Sequence, residues 1–498
     1  MFDQEKSRWA GVCPPATLSP PNGFSLLMVS QRDTKDCGNG ARPMKRYIAL
    51  LFLIVMLGGV HCGTVFSQGG TASVVPDAEQ REGEAAKQQA NDSCTDCHSR
   101  ITPGIVVDWQ LSKHSRNDVG CSTCHGDRHN SMTDVANAKM ALPETCAVCH
   151  EGQVEQFKRG KHALAWGAMK AMPTLHWQPM AQVEGLKGCG GCHRVGLKNE
   201  TEIRDLVEKG SGFGVSSCDV CHTRHLFSAD EARSPQACRT CHMGADHAQW
   251  EMYSSSKHGV RFLLKQSRML PEDVAAPTCQ SCHLQGGNHA NRTAWGYLAL
   301  SLPLPRDEEW AKDRTTILQA LGVLDLTGKP TPRMEAVETA DMMRFSEDDW
   351  SAEREKMIKT CNDCHSVNFV RAELEKSDRM IREADGVFAE AIRVVGGLYQ
   401  DGILRKPENY SYAFPDLFTL HNAPSVIEQK LFAMFHESRM RTFQGAFHSN
   451  PDYSFWNGWG AMQTGLTEIR ERAAEMREAA RRGQETPVNA QIGPVKRK

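Results

Sequence analysis

The pentapeptide Cys-x-x-Cys-His occurs eight times between residues 94 and 365, closing at His98, His125, His150, His193, His222, His242, His283 and His365, and it takes up sixteen of the nineteen cysteines. A structural zinc site needs paired Cys-x-x-Cys units converging on one metal and does not require a histidine directly after each pair. A disulfide framework has no reason to repeat one tight spacing eight times. The chemistry that does use this pattern is haem attachment, in which two thiols form thioethers to the porphyrin and the next imidazole becomes an axial iron ligand. The spacing therefore predicts an octahaem c-type cytochrome. Its eight c-type haems are held by Cys94 and Cys97, Cys121 and Cys124, Cys146 and Cys149, Cys189 and Cys192, Cys218 and Cys221, Cys238 and Cys241, Cys279 and Cys282, and Cys361 and Cys364.

The other three cysteines, Cys13, Cys37 and Cys62, precede the first motif. From Met44 the chain reads "MKRYIALLFLIVMLGGVHCGTVFSQGG": two basic residues, a short apolar run, then small residues, which is the layout of a secretory signal. Residues 1–67 are accordingly read as an upstream leader and signal peptide that is removed, with cleavage after Ser67; a lipid anchor at Cys62 is the weaker alternative. The apolar run is short for a bilayer span, and no later stretch is long and apolar enough, so a soluble mature protein is expected. The expected location is exported, in the periplasm. The formal net charge of -2, before any haem propionates are counted, argues against nucleic-acid binding.

Residues 68–370 are read as the octahaem-binding domain. Their connectors are rich in Gly, Pro and Asn, and little apolar periodicity is sustained. Such a segment buries too little side-chain surface to offset an ordering cost of about 1.5 kcal/mol per residue, so the haems must form much of its core. Residues 371–483 change character. Leu374, Ile381, Ala384, Phe388, Ala391, Ile392 and Val395 keep a three-or-four spacing, with Gly402 beyond the helix end. Ser425 and Glu428 read as a capping box opening a second helix, and a charged third helix follows. The fold class is thus mainly α: a multihaem segment with a C-terminal helical bundle. The tail 484–498 has no apolar face and reads as disordered.

Each iron has one histidine from its motif, so the remaining histidines decide which irons are closed. His114, His162 and His258 each follow a lysine, in "SKHS", "GKHA" and "SKHG"; His129 and His225 come shortly after motif histidines. In a chain this dense in haems these five suit ligation better than solvent exposure. His247 follows Asp246, an arrangement that suits proton removal from a bound substrate. A propionate or backbone partner accounts for it equally well. If all eight irons were closed the chain would be an electron carrier, and one open iron would make it an enzyme.

The run "CDVCHTRHLFSADEARSPQACRTCHMGADHAQWEMYSSSKHG" closely resembles the octahaem hydroxylamine oxidoreductase family, which includes hydrazine dehydrogenases, and the resemblance extends through "HSNPDYSFWNGWGAM". It implies that the haem of Cys189, Cys192 and His193 is catalytic and open on its distal side, with Asp246 and His247 as proton-handling residues above it. It implies distal ligands at His114, His129, His162, His225, His258, His289 and His448; His176, His421 and His436 match no ligand position. The family's tyrosine crosslink to the catalytic haem of a neighbouring subunit in a homotrimer corresponds to Tyr453, shifted slightly against the family pattern. Its distal tyrosine corresponds to Tyr297 in "TAWGY". The implied activity is oxidation of hydroxylamine to nitric oxide or nitrite, with a soluble cytochrome c as electron acceptor. Hydrazine oxidation to dinitrogen, a reverse-running nitrite reductase and a non-catalytic carrier are the alternatives.

Overall fold

The computed structural model describes residues 93–171, 188–209, 216–245, 247–293, 299–339, 346–408, 410–413, 415–420 and 423–482. The leader, the signal, the tail, Asp246, Tyr297, His176 and His421 lie outside the described residues. The fold is mainly α. Among the described residues, β structure is limited to a bridge between Leu324 and Pro330.

Six helices organise the C-terminal part: α1 (Glu308–Ala320), α2 (Glu347–Asn362), α3 (Val367–Gln400), α4 (Val426–Ala433), α5 (Met440–Phe447) and α6 (Gly460–Arg481). Helix α3 is the axis, because α1, α2, α4, α5 and α6 all pack on it. Its buried positions include Val370, Leu374, Ile381, Ala384, Phe388, Ala391, Ile392, Val395 and Leu398, the apolar stripe a helical period puts on one side. Ser366 opens it, its hydroxyl accepting the Phe369 N–H, and Gly402, at φ +69°, takes the turn just past its end. Phe388 is fully buried and stacks on Phe435 at 5.4 Å between ring centroids. Burying one such side chain contributes roughly 1.5–3 kcal/mol. One continuous apolar core runs from Ala299 to Met476.

A buried charge cluster pins this core. The Asp385 carboxylate, with no exposure, accepts from Arg439 Nε and Nη2 at 3.0 and 2.7 Å, Arg314 Nη1 at 3.0 Å and Trp310 Nε1 at 2.9 Å. Burial alone would raise its pKa; the Arg439 and Arg314 guanidiniums outweigh that and hold it below the ordinary carboxylate value. At α4 the Ser425 hydroxyl accepts the Glu428 N–H as expected of an N-cap. The Glu428 carboxylate takes the hydroxyls of Ser425 and Tyr399, so the cap is tied to α3.

The segment before residue 299 is built differently. Apart from Pro143–Arg159, which kinks at His150, its described helices run ten residues or fewer, and its two buried apolar clusters hold three residues each, Trp166, Met169 and Leu206 in one and Phe157, Ala163 and Val195 in the other. Between its helices and those of the C-terminal part, which carries the eighth motif at Cys361, Cys364 and His365, lies a continuous cavity of about 3700 Å³, lined by cysteines and histidines of all eight motifs. Ordinary ligand pockets are about 300–1,000 Å³, so this space suits several large groups. No helix among the described residues is long and apolar enough to cross a membrane.

Candidate haem and substrate site

Two of the non-motif histidines are placed by one local device. Ser112 and Ser256 cap short helices, accepting the N–H groups of Ser115 and Gly259, and the lysine and histidine that follow each serine fill the first turn. This sets His114 and His258 on the first turn facing the cavity. His162 likewise sits in the first turn of the 3-10 helix Lys161–Leu164, after Gly160. Behind His258 the chain turns so closely on the preceding helix that a Cβ on Gly259 would lie 1.9 Å from the Tyr253 carbonyl oxygen, which only glycine permits. His289 follows a turn in which Gly286 and Gly287 have φ of +65° and +79°. His448 ends α5, where its Nδ1 bonds the Gln444 carbonyl at 2.7 Å.

The imidazoles come together in pairs of nearly constant spacing. Ring centroids are 6.1 Å apart for His98 and His129, 6.2 Å for His150 and His114, and 6.2 Å for His125 and His225. The spacing is 6.2 Å for His222 and His289, 6.1 Å for His242 and His162, 6.4 Å for His283 and His448, and 6.1 Å for His365 and His258. At 6 Å two imidazoles neither touch nor hydrogen-bond directly. Two metal–imidazole bonds of about 2 Å on opposite faces of one iron give a centroid separation of about 6 Å. The donor set, its spacing and the cavity between the partners fit bis-histidine haem. Burial favours the neutral, metal-ligating form at His114, His162, His222, His225, His258 and His448. It pushes His283 down to about 4, helped by His448 and His162, and His242 down to about 4, helped by His162 and His247.

The motif cysteines form no disulfides, yet those of different motifs adjoin. The thiols of Cys94 and Cys121, Cys146 and Cys218, Cys238 and Cys279, and Cys192 and Cys241 adjoin and perturb one another. Cys124 lies within electrostatic range of Cys146 and Cys149, Cys221 of Cys238 and Cys241, and Cys282 of Cys361 and Cys364. The motifs thus run first, second, third, fifth, sixth, seventh, eighth, and the fourth joins through the sixth.

At that branch, His193 Nδ1 bonds the Ala165 carbonyl at 2.8 Å. His247 lines the same cavity, with its ring centroid 6.5 Å from that of His242. The turn leading to His247 is held from two sides: the Gly244 N–H donates to Glu251 at 3.1 Å, and Arg441 on α5 donates to the Ala245 carbonyl at 2.8 Å. Tyr453 is half-buried nearby, and burial raises its pKa, with Arg441 opposing and Glu251 adding to the rise. Asn450, buried, reaches back to the Met252 carbonyl at 2.9 Å and the Ser255 hydroxyl at 2.7 Å, tying the Tyr453 segment to the helix before His258. Lys198 stands behind the fourth motif, donating to the carbonyls of Arg194 and Gly196 with its ammonium 5.0 Å from the Trp166 ring centroid. Burial pushes its pKa down to about 8. Sequence reasoning did not single out Glu251, Arg441, Asn450 or Lys198, because none lies in a motif and their partners are distant in the chain. His436 stacks on Phe432 at 5.3 Å.

Comparison with known proteins agrees with this arrangement. The chain is 26% identical over 487 residues, 78% of its length and 52% of the relative's, to a probable nitrite reductase-hydroxylamine oxidoreductase fusion protein of Kuenenia stuttgartiensis. It is 27% identical over 189 residues, 36% of its length and 54% of the relative's, to the multihaem cytochrome MtrA of Shewanella baltica (strain OS185). The chain thus spans about half the length of these curated relatives. Among solved structures, the reducing HAO-like protein complex of Kuenenia stuttgartiensis superposes with a TM-score of 0.60 at 25% identity, covering 80% of this chain and 88% of the other. A hypothetical multihaem protein superposes at 0.54 and 21% identity, over 80% and 99%, and shares the fold. The family described as cytochrome c554 and c-prime matches residues 69–126. The family described as seven times multi-haem cytochrome CxxCH matches 117–314 and 333–409, more than half of the chain. With its repeated motifs gathered around one cavity, the chain belongs to this multihaem cytochrome family, related to HAO-like proteins and binding c-type haem through Cys-x-x-Cys-His.

Proposed function

We propose that the chain is an octahaem oxidoreductase that oxidises a small nitrogen compound, hydroxylamine to nitric oxide or nitrite, at the haem of Cys189, Cys192 and His193. The observation that carries this reading is the set of seven imidazole pairs. His114, His129, His162, His225, His258, His289 and His448 each stand opposite a motif histidine other than His193. In this reading each of the seven would help hold a haem other than the fourth. When bound, haem iron supplies one-electron redox chemistry and, at the fourth motif, a coordination position for the substrate nitrogen.

The remaining work falls to side chains. The cysteines of each motif hold the porphyrins, and the adjacency of Cys192 and Cys241 links the fourth motif to the run of the others. Asp246 and His247 accept the protons released as substrate is oxidised, a role worth roughly 10²–10⁴-fold in rate. Glu251 and Arg441 hold the turn that carries them. Tyr453 would bond the catalytic haem of a neighbouring subunit in a homotrimer, Tyr297 would serve as a further substrate-site residue, and a soluble cytochrome c would take the electrons. Hydrazine, oxidised to dinitrogen, is the alternative substrate.

The second reading is nitrite reduction, favoured by the description of the superposing complex as a reducing HAO-like protein. An optical spectrum of the reduced holoprotein, with turnover of hydroxylamine, hydrazine and nitrite, separates them. A red-shifted band lost in Tyr453→Phe, with hydroxylamine oxidation, is expected; nitrite turnover without that band establishes the second reading. Eight low-spin haems with no turnover would leave an electron carrier.

A further inference from the structure

An imidazole bound to iron through one ring nitrogen carries its proton on the other, and the acceptor of that proton sets how electron-rich the ligand is. Several histidines facing the cavity give theirs to neutral groups. Nδ1 meets the carbonyl of Lys139 at 2.9 Å for His125, that of Ala165 at 2.8 Å for His193, and that of Gln444 at 2.7 Å for His448. For His98 the partner is the Thr102 hydroxyl at 2.8 Å. His129, across from His98, differs: its Nδ1 lies 2.8 Å from Asp134 Oδ1. The carboxylate is fixed in place by the Ser131 N–H at 2.9 Å and the Asn130 N–H at 3.1 Å. About a quarter of each side chain is exposed, 26% for His129 and 28% for Asp134, so distant charges there are screened but a direct hydrogen bond persists.

We infer that Asp134, acting through His129, lowers the reduction potential of the haem attached at Cys94 and Cys97 relative to one whose axial histidines bond only neutral acceptors. A negative charge hydrogen-bonded to Nδ1 gives the ligand imidazolate character, which favours ferric over ferrous iron. The inference rests on reading His129 as that haem's second axial ligand. Cys94 adjoins Cys121, and this motif opens the run of neighbouring motifs, so the effect falls on a terminal position. Asp134 is a positioning and tuning residue there, since it meets the ligand and not the substrate.

The test is a spectroscopic redox titration of the holoprotein with three variants. Asp134→Asn keeps an oxygen acceptor for the turn and removes the charge. One midpoint should rise by about 59 mV, a roughly tenfold change in that haem's reduction constant, while the other midpoints stay in place. Asp134→Glu, which keeps the charge, should titrate close to the wild type. His129→Ala should convert one low-spin haem to high-spin. An Asp134→Asn curve that superposes on the wild type, while His129→Ala shows the low-spin loss, overturns the tuning role. A Glu variant displaced as far as Asn would assign the effect to turn geometry and overturn the role of charge. If His129→Ala keeps every low-spin signal, the ligand reading beneath the inference is what fails.

Discussion

The two halves of this molecule solve the core problem in opposite ways. From Ala299 onward, side chains build a continuous apolar interior around α3, with one motif, Cys361, Cys364 and His365, at the α2–α3 junction. Before it, the buried apolar clusters hold three residues each and the helices stand around a cavity of about 3700 Å³. The first region carries its cohesion in its sequence. The second supplies attachment points and needs its cofactors to supply the interior, as small metal domains need their metal.

The largest test of this contrast is synthesis without haem attachment. Amide protection should vanish across 93–293 and persist in Val367–Gln400, read by hydrogen-exchange mass spectrometry. Equal protection in both regions would break the comparison. Next, Phe388→Ala should cost about 4 kcal/mol by denaturant titration, with haem absorption unchanged before the transition, because the residue sits in the side-chain core.

Asp385→Asn should cost about 3 kcal/mol by leaving Arg439 and Arg314 facing a neutral amide in a buried site. Its pH dependence has a defined sign. The folded carboxylate titrates below its unfolded value of about 3.9, so its stabilisation is complete above that pH and fades as pH falls through the lower folded value. Wild-type and variant Tm should therefore differ by a constant amount from mildly acidic to neutral pH and converge in strong acid. The smallest effect is Ser425→Ala, about 1 kcal/mol from the lost cap at α4, measured by the same denaturant titration.

The motifs and the α3 stripe were legible because both are local: five residues define the one, and a helical period the other. The histidines after "SK" and "GK" were legible as candidates, and the structure adds a serine-capped first turn for His114 and His258 and a 3-10 turn for His162. The capping box read at Ser425 and Glu428 forms only by half: the Ser425 hydroxyl accepts the Glu428 N–H, but the Glu428 carboxylate takes the hydroxyls of Ser425 and of Tyr399, a residue of α3 whose proximity no local pattern encodes. The same holds for Asp385, which lies within the α3 stripe yet is charged: its guanidinium partners come from α1 and from the turn before α5. The run of motifs, with the third beside the fifth and the fourth branching at the sixth, departs from sequence order and had no signal in spacing.

The pairing of His283 with His448 joins the two regions, since one ring belongs to a motif of the cavity-lined segment and the other closes α5. Were both imidazoles to hold one haem, melting α5 would strip that haem of a ligand, and loss of the side-chain core would register as a change of colour.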